Sequence, residues 1–219
     1  MPKNPLLPVP SDRRTLRGVV LLAGLVLYGA SSGLTVVAGL GLAPWDVLHQ
    51  GLARTLGGAV GTWSIIVGAL VLLAWIPLRQ RPGIGTLANV VVVGSVIDLV
   101  VWAVPEPSAL GGRIGLLVAG IVLNGAATGI YVGAGLGPGP RDGLMTGLAA
   151  RGHSVRVVRT AIEVTVLAAG WLLGGTVGWG TLAYAVAIGP LAHVFLPLFR
   201  LGRRTAGTGQ VCAGTADLA

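Results

Sequence analysis

Uninterrupted apolar stretches recur along the chain near 18–38, 62–78, 85–104, 114–134, 157–176 and 180–199. Each is long enough, or nearly so, to cross the hydrocarbon layer of a membrane as a helix. Polar positions gather between them in punctuated segments, above all GLGLAPWDVLHQGLA at 39–53 and GAGLGPGPRDGLMTGLA at 133–149. The pattern predicts an all-α, polytopic membrane bundle of about six transmembrane helices, with a short broken or re-entrant helix in each half.

The two punctuated segments belong to an internal repeat. Shifted by 96 positions, residues 17–53 agree with 113–149 at about half of the sites, pairing Arg17 with Arg113, Gly39 with Gly135, Gly41 with Gly137, Pro44 with Pro140 and Asp46 with Asp142. After one residue is dropped the match resumes at a shift of 95, where GIGTLA at 83–88 meets GWGTLA at 178–183 and Gly94 meets Gly189. SDRRTLR ahead of the first apolar stretch resembles a twin-arginine export signal. That stretch is the counterpart of the fourth, so it belongs to the fold. Each half holds three spans, an odd number, so the halves enter the membrane from opposite sides as an inverted repeat, about 17–104 and 113–199. A cytoplasmic segment 1–16 and a disordered cytoplasmic tail 200–219 flank them. With the N-terminus inside, thirteen of the fifteen basic residues fall on the cytoplasmic side and only Arg54 and Arg113 fall outside, as the positive-inside rule expects.

Composition agrees. Of 219 residues 53% are hydrophobic and 10% charged, and the mean hydropathy is +0.84, which fits one compact membrane domain better than a soluble class. The net charge of +8 is spread between apolar runs and forms no basic domain, so nucleic acid is not an expected partner. A single cysteine, Cys212 in the polar tail, excludes a disulfide framework within one chain. The three histidines lack metal-ligand spacing, and no Ser or Cys nucleophile stands beside a base. No cofactor is expected, and no enzyme.

Pro44 and Pro140 suit the first position of short helices, since Pro needs no N–H partner there. Asp46 and Asp142 then fall in the first turn, next to the positive helix end. Two readings stay open: the carboxylates cap helix starts, or two re-entrant helices meet and bind a polar solute or ion at their N-termini and unwound backbone. On the first of these helices Trp45, Leu48, Leu52 and Leu56 share a stripe, with Asp46, His49 and Gln50 towards another. On the second, Arg141 beside Asp142 is placed to complete a charged solute contact. Asp98 aligns with His193, one ionisable residue on the third span of each half, and such groups usually face a cavity or a partner. Asn89, Asn124, Tyr131 and Tyr184 are candidates for the same interior, or for ties between helices. Glu163 and Arg159 are spaced for a local ion pair.

These motifs, together with GIGT and the later Asp98, resemble the bacterial YitT/YczE-type integral membrane proteins over most of residues 17–199. The resemblance implies a small bacterial inner-membrane protein, often suspected of transport. Without the soluble C-terminal domain of YitT-type members, the chain looks closer to the YczE-type branch. The function expected is a small secondary transporter or channel-like permease for a small polar or ionic solute, substrate contacts falling to Asp46, His49, Arg141, Asp142, Asp98, His193, Asn89, Tyr131 and Tyr184. The alternative is a non-transporting scaffold or accessory subunit that binds anionic lipid or a protein partner. Either way the lipid bilayer is the first partner, and a homo-oligomer is compatible with both.

Overall fold

The computed structural model describes residues 13–199. Most of segment 1–16 and the whole of the tail 200–219, with Cys212, lie outside the described residues. Within them the chain forms helices α1 (Arg14–Ala38), α2 (Pro44–Leu56), α3 (Val60–Leu78), α4 (Ile84–Ala103), α5 (Leu110–Gly133), α6 (Pro140–Ala149), α7 (Val155–Leu172) and α8 (Trp179–Leu198), and no strand. Five of these, α1, α3, α4, α5 and α8, are long and apolar enough to cross a membrane. The stretch expected at 157–176 is the shorter α7, which carries Arg156, Arg159 and Glu163 and ends at Leu172 ahead of a turn through Gly174 at φ 86°.

Local chemistry sets the breaks. After α1 the backbone turns through Gly39 and Gly41 at φ 61° and 121°; after α5 it turns through Gly135 and Gly137 at φ 68° and 124°. Side-chain-bearing residues seldom adopt those angles, and the near-identity of the two sets follows from the repeated glycines. Pro44 and Pro140 then open α2 and α6 at their first position.

The halves grip each other reciprocally. α1 packs on α4 and α5, α5 on α8, and the short helices cross over, with α2 on α7 and α6 on α3. α1 and α5 run antiparallel, and their backbones meet where Gly24 abuts Tyr131 and Gly120 abuts Ser31 and Thr35. Arg17 Nη1 donates to the Ala134 carbonyl at the end of α5 at 2.8 Å. Its counterpart Arg113 donates from Nε to Ala38 at 2.8 Å and from Nη2 to Gly39 at 3.0 Å at the end of α1. Each guanidinium thus satisfies carbonyls that a helix C-terminus leaves open, where a cation also suits the dipole. Gly85 N–H donates to the Leu136 carbonyl at 3.0 Å and Gly180 N–H to the Leu40 carbonyl at 2.9 Å, so the start of α4 is tied to the break after α5, and that of α8 to the break after α1.

One pair of seams departs from this reciprocity. α3 and α4 are sealed: Gly61 and Gly94 face each other with no room for a Cβ. The Asp98 carboxylate accepts hydrogen bonds from Gly61 N–H at 2.5 Å and Thr62 Oγ1 at 3.1 Å. α7 and α8 show no comparable packing, and Gly189, the counterpart of Gly94, has open space around it.

Candidate functional site

A cavity of about 590 Å³ lies where α2 and α6 meet α3, α5 and α8, and it draws its lining from both halves. The size suits a small molecule. Its polar wall is built from the first turns of the two short helices and from residues facing them.

Asp46 and Asp142 both sit third in their helices, behind the N-caps Ala43 and Gly139, which offer no capping side chain. Their surroundings differ. Asp46 is 3% exposed, with Oδ1 3.5 Å from His49 Nδ1 and 3.7 Å from Arg141 Nη2, so a residue of α6 reaches across to neutralise α2. Arg141 lies over the Trp45 ring at 5.0 Å, a cation–π contact that fixes the plane of the guanidinium. Asp142 is exposed, on the cavity wall, and its Oδ2 accepts from Tyr131 Oη–H at 3.2 Å. Tyr131 is itself held edge-on to Tyr28, with ring centroids 5.9 Å apart.

A second polar chain crosses the wall. Tyr184 Oη–H donates to Asn124 Oδ1 at 3.0 Å, Asn124 Nδ2 to Ser31 Oγ at 2.9 Å, and Ser31 Oγ to the Tyr28 carbonyl at 2.6 Å. It links α8, α5 and α1 and leaves these buried polar groups satisfied. Arg159 lines the cavity while its Nε is held by Glu163 Oε1 at 3.0 Å, the i,i+4 pair anticipated from spacing.

Of the residues singled out from sequence, His49, Arg141, Asp142 and Tyr131 line the cavity around α2 and α6, and Asn89, Tyr184 and His193 line it from α4 and α8. Asp46 stands just behind this wall, against His49 and Arg141. Asp98 lies elsewhere, on the amide at the start of α3. Tyr28, Trp45 and Arg159 also line the cavity, where the sequence did not place them. A signal for two of them lay in the repeat: Tyr28 aligns with Asn124 and Trp45 with Arg141, so both halves place a polar or aromatic group at those positions.

An all-helical bundle with several apolar spans defines a multi-pass integral membrane protein. The chain belongs to the family of unknown function DUF6198, whose model matches residues 15–197. It is 38% identical over 200 residues to the uncharacterized membrane protein YczE of Bacillus subtilis, covering 87% of this chain and 93% of that one. An uncharacterized protein of Haemophilus influenzae is 41% identical over 178 residues, covering 81% and 82%. The uncharacterized protein YyaS of Bacillus subtilis is more distant, at 30% over 182 residues, covering 80% and 90%. The chain is thus of the YczE type. No solved structure matches it.

Proposed function

We propose that this protein is a small secondary transporter of the bacterial inner membrane, moving a small polar or ionic solute by alternate opening of two equivalent seams, α3–α4 and α7–α8. The observation that carries this reading is the unequal state of those seams. Two halves with the same breaks and reciprocal contacts would be expected to close alike. Instead one seam is sealed by Gly61, Gly94 and Asp98 while the other is parted, with His193, the counterpart of Asp98, on the cavity wall. An inverted repeat with unequal halves is the geometry by which a fixed central site is offered to one side at a time.

On this reading α7 completes a sixth crossing. Arg151, just before it, donates to the Pro77 carbonyl near the end of α3, and the turn after it accepts hydrogen bonds from Arg54 and Thr55, just before α3. α7 therefore runs opposite to α3 over the same depth. The cavity wall includes Arg159 early in α7 and Pro197 late in α8, the end of the bundle that this reading sets at the cytoplasm on the positive-inside rule, which makes the conformation described the inward-facing one of the proposed cycle.

The test is uptake of a mixed pool of polar metabolites into proteoliposomes, read by mass spectrometry against protein-free vesicles. Accumulation of a defined solute is expected. A monodisperse, correctly inserted protein that enriches none would overturn transport in favour of a scaffold role.

A further inference from the structure

Resting on the cavity's being a solute site, we infer that its solute is a small zwitterion, an amino-acid-like molecule whose oxyanion is received by Arg141 and whose ammonium is received by Asp142. Four observations converge.

Arg141 and Asp142 are successive residues in the first turn of α6 and line the same cavity, so one small molecule can bridge them. Both keep unfilled hydrogen-bonding capacity. The nearest ionic contact of Arg141 is the 3.7 Å approach to Asp46, too long for a hydrogen bond, and its guanidinium carries five donors. Asp142 makes no ion pair among the described residues and accepts only the neutral Tyr131 hydroxyl from a side chain.

Beside Arg141 the cavity wall carries a further donor, the Trp45 indole. Trp45 Nε1 is buried and lacks a hydrogen-bond partner, its residue being 7% exposed while lining the cavity, whereas His49 Nδ1 is turned to Asp46 Oδ1 at 3.5 Å behind the wall. Buried donors of this kind are costly when unmet. An oxyanion on the guanidinium, which lies over the Trp45 ring, would bring acceptor atoms to the same side of the cavity as that indole. The free N–H groups at the α6 N-terminus add to the same preference.

Charge balance then selects between solute classes. Arg159 is neutralised by Glu163 and Arg141 by Asp46, which leaves Asp142 as an excess negative charge. A simple anion would set a second negative charge beside it, an unfavourable like-charge contact. A simple amine would satisfy Asp142 and leave the donors around Arg141 unmet. A zwitterion answers both and adds no net charge. The remaining volume, walled by Val71, Val93 and Ile188, suits an apolar side chain.

Matched probes test this on the purified full-length protein. Leucine, 4-methylpentanoate and isopentylamine share one skeleton and differ only in charge. The same comparison extends to the other neutral amino acids and their acid and amine analogues. Calorimetry and thermal-shift measurements are expected to show binding of at least one amino acid, with both single-charge analogues weaker by roughly tenfold or more. Asp142→Asn should remove the advantage of the amino acid over its acid, and Arg141→Gln its advantage over its amine. An analogue binding as tightly as its zwitterion, or no neutral amino acid binding at all, overturns the inference. If a variant does not fold, the three probes on the natural protein still decide. Binding in detergent without uptake in proteoliposomes would sustain this inference and overturn transport. Uptake confined to solutes lacking an ammonium would do the reverse.

Discussion

Asp46 and Asp142 occupy one position of the repeat, yet the first faces His49 and Arg141 in the interior and the second faces the cavity. The same substitution should therefore act differently at the two sites. Asp46→Asn removes the negative charge beside a largely buried guanidinium, and the loss of a charged partner is expected to cost about 1–3 kcal/mol. The cost stays moderate because the contact is 3.7 Å and the Arg141 side chain is 24% exposed. Asp142→Asn should lower the melting temperature little, since an amide keeps the shape at a helix start, but should abolish uptake. Thermal unfolding in detergent beside a transport assay separates the two; equal destabilisation by both would mean that Asp142 is structural. The pairing of these two residues was legible in the repeat, and so was the first-turn position given by the preceding Pro. Their unequal burial was not, because it depends on Arg141 reaching across from the other half. Trp45 read as part of an apolar stripe with Leu48 and Leu52. Its ring faces a guanidinium, and only its alignment with Arg141 hinted at that.

Between helices the informative comparison is Gly94 with Gly189. A methyl group added at Gly94 would press on the Gly61 carbonyl and Ile65, whereas one added at Gly189 meets nothing within 4 Å. Gly94→Ala is expected to destabilise by roughly 1–3 kcal/mol through overpacking. Gly189→Ala should stabilise the described conformation by up to about 1 kcal/mol, because Ala is the better helix former. Under the proposed cycle it should nevertheless slow uptake, since that cycle requires the α7–α8 seam to close as α3–α4 does. Cross-linking checks the same step. In a Cys212→Ser background, the pair Thr62→Cys with Asp98→Cys should join in the described conformation. The equivalent pair Val157→Cys with His193→Cys should join only in molecules that have turned over to the opposite state. Failure of the second pair under every condition would mean that the seams do not exchange. Apolar length and the Gly/Pro breaks announced the helices themselves, although α7 ends earlier than 176 because Gly174 takes a left-handed angle. The sealed and parted seams were beyond the sequence, which encodes nearly the same small-residue surface in both halves.

Across the whole molecule, most arginines and the solvent-reaching tryptophans gather at opposite ends of the bundle. Arg79 and Arg81 follow α3, and Arg151 and Arg156 stand at the start of α7, which Arg151 ties to α3 through Pro77. At the opposite end stand Trp63 early in α3, Trp102 late in α4, Trp171 late in α7 and Trp179 at the start of α8. Trp102 and Trp179 are each 85% exposed. Indole rings favour the headgroup level of a bilayer, and arginine-rich links favour the cytoplasm. Together they predict that the α6–α7 link faces inward and the α4–α5 link outward. His153 and Glu106 are exposed within those links and report on them directly. In a Cys212→Ser background, a membrane-impermeant maleimide applied to intact cells should label Glu106→Cys. It should reach His153→Cys only after the membrane is opened. Labelling of position 153 but not 106 in intact cells would invert the bundle and make the parted α7–α8 seam outward-facing. The site's chemistry would survive that result, because Arg141, Asp142 and Trp45 keep their relation in either orientation, but the conformation described would be the one that receives solute from outside.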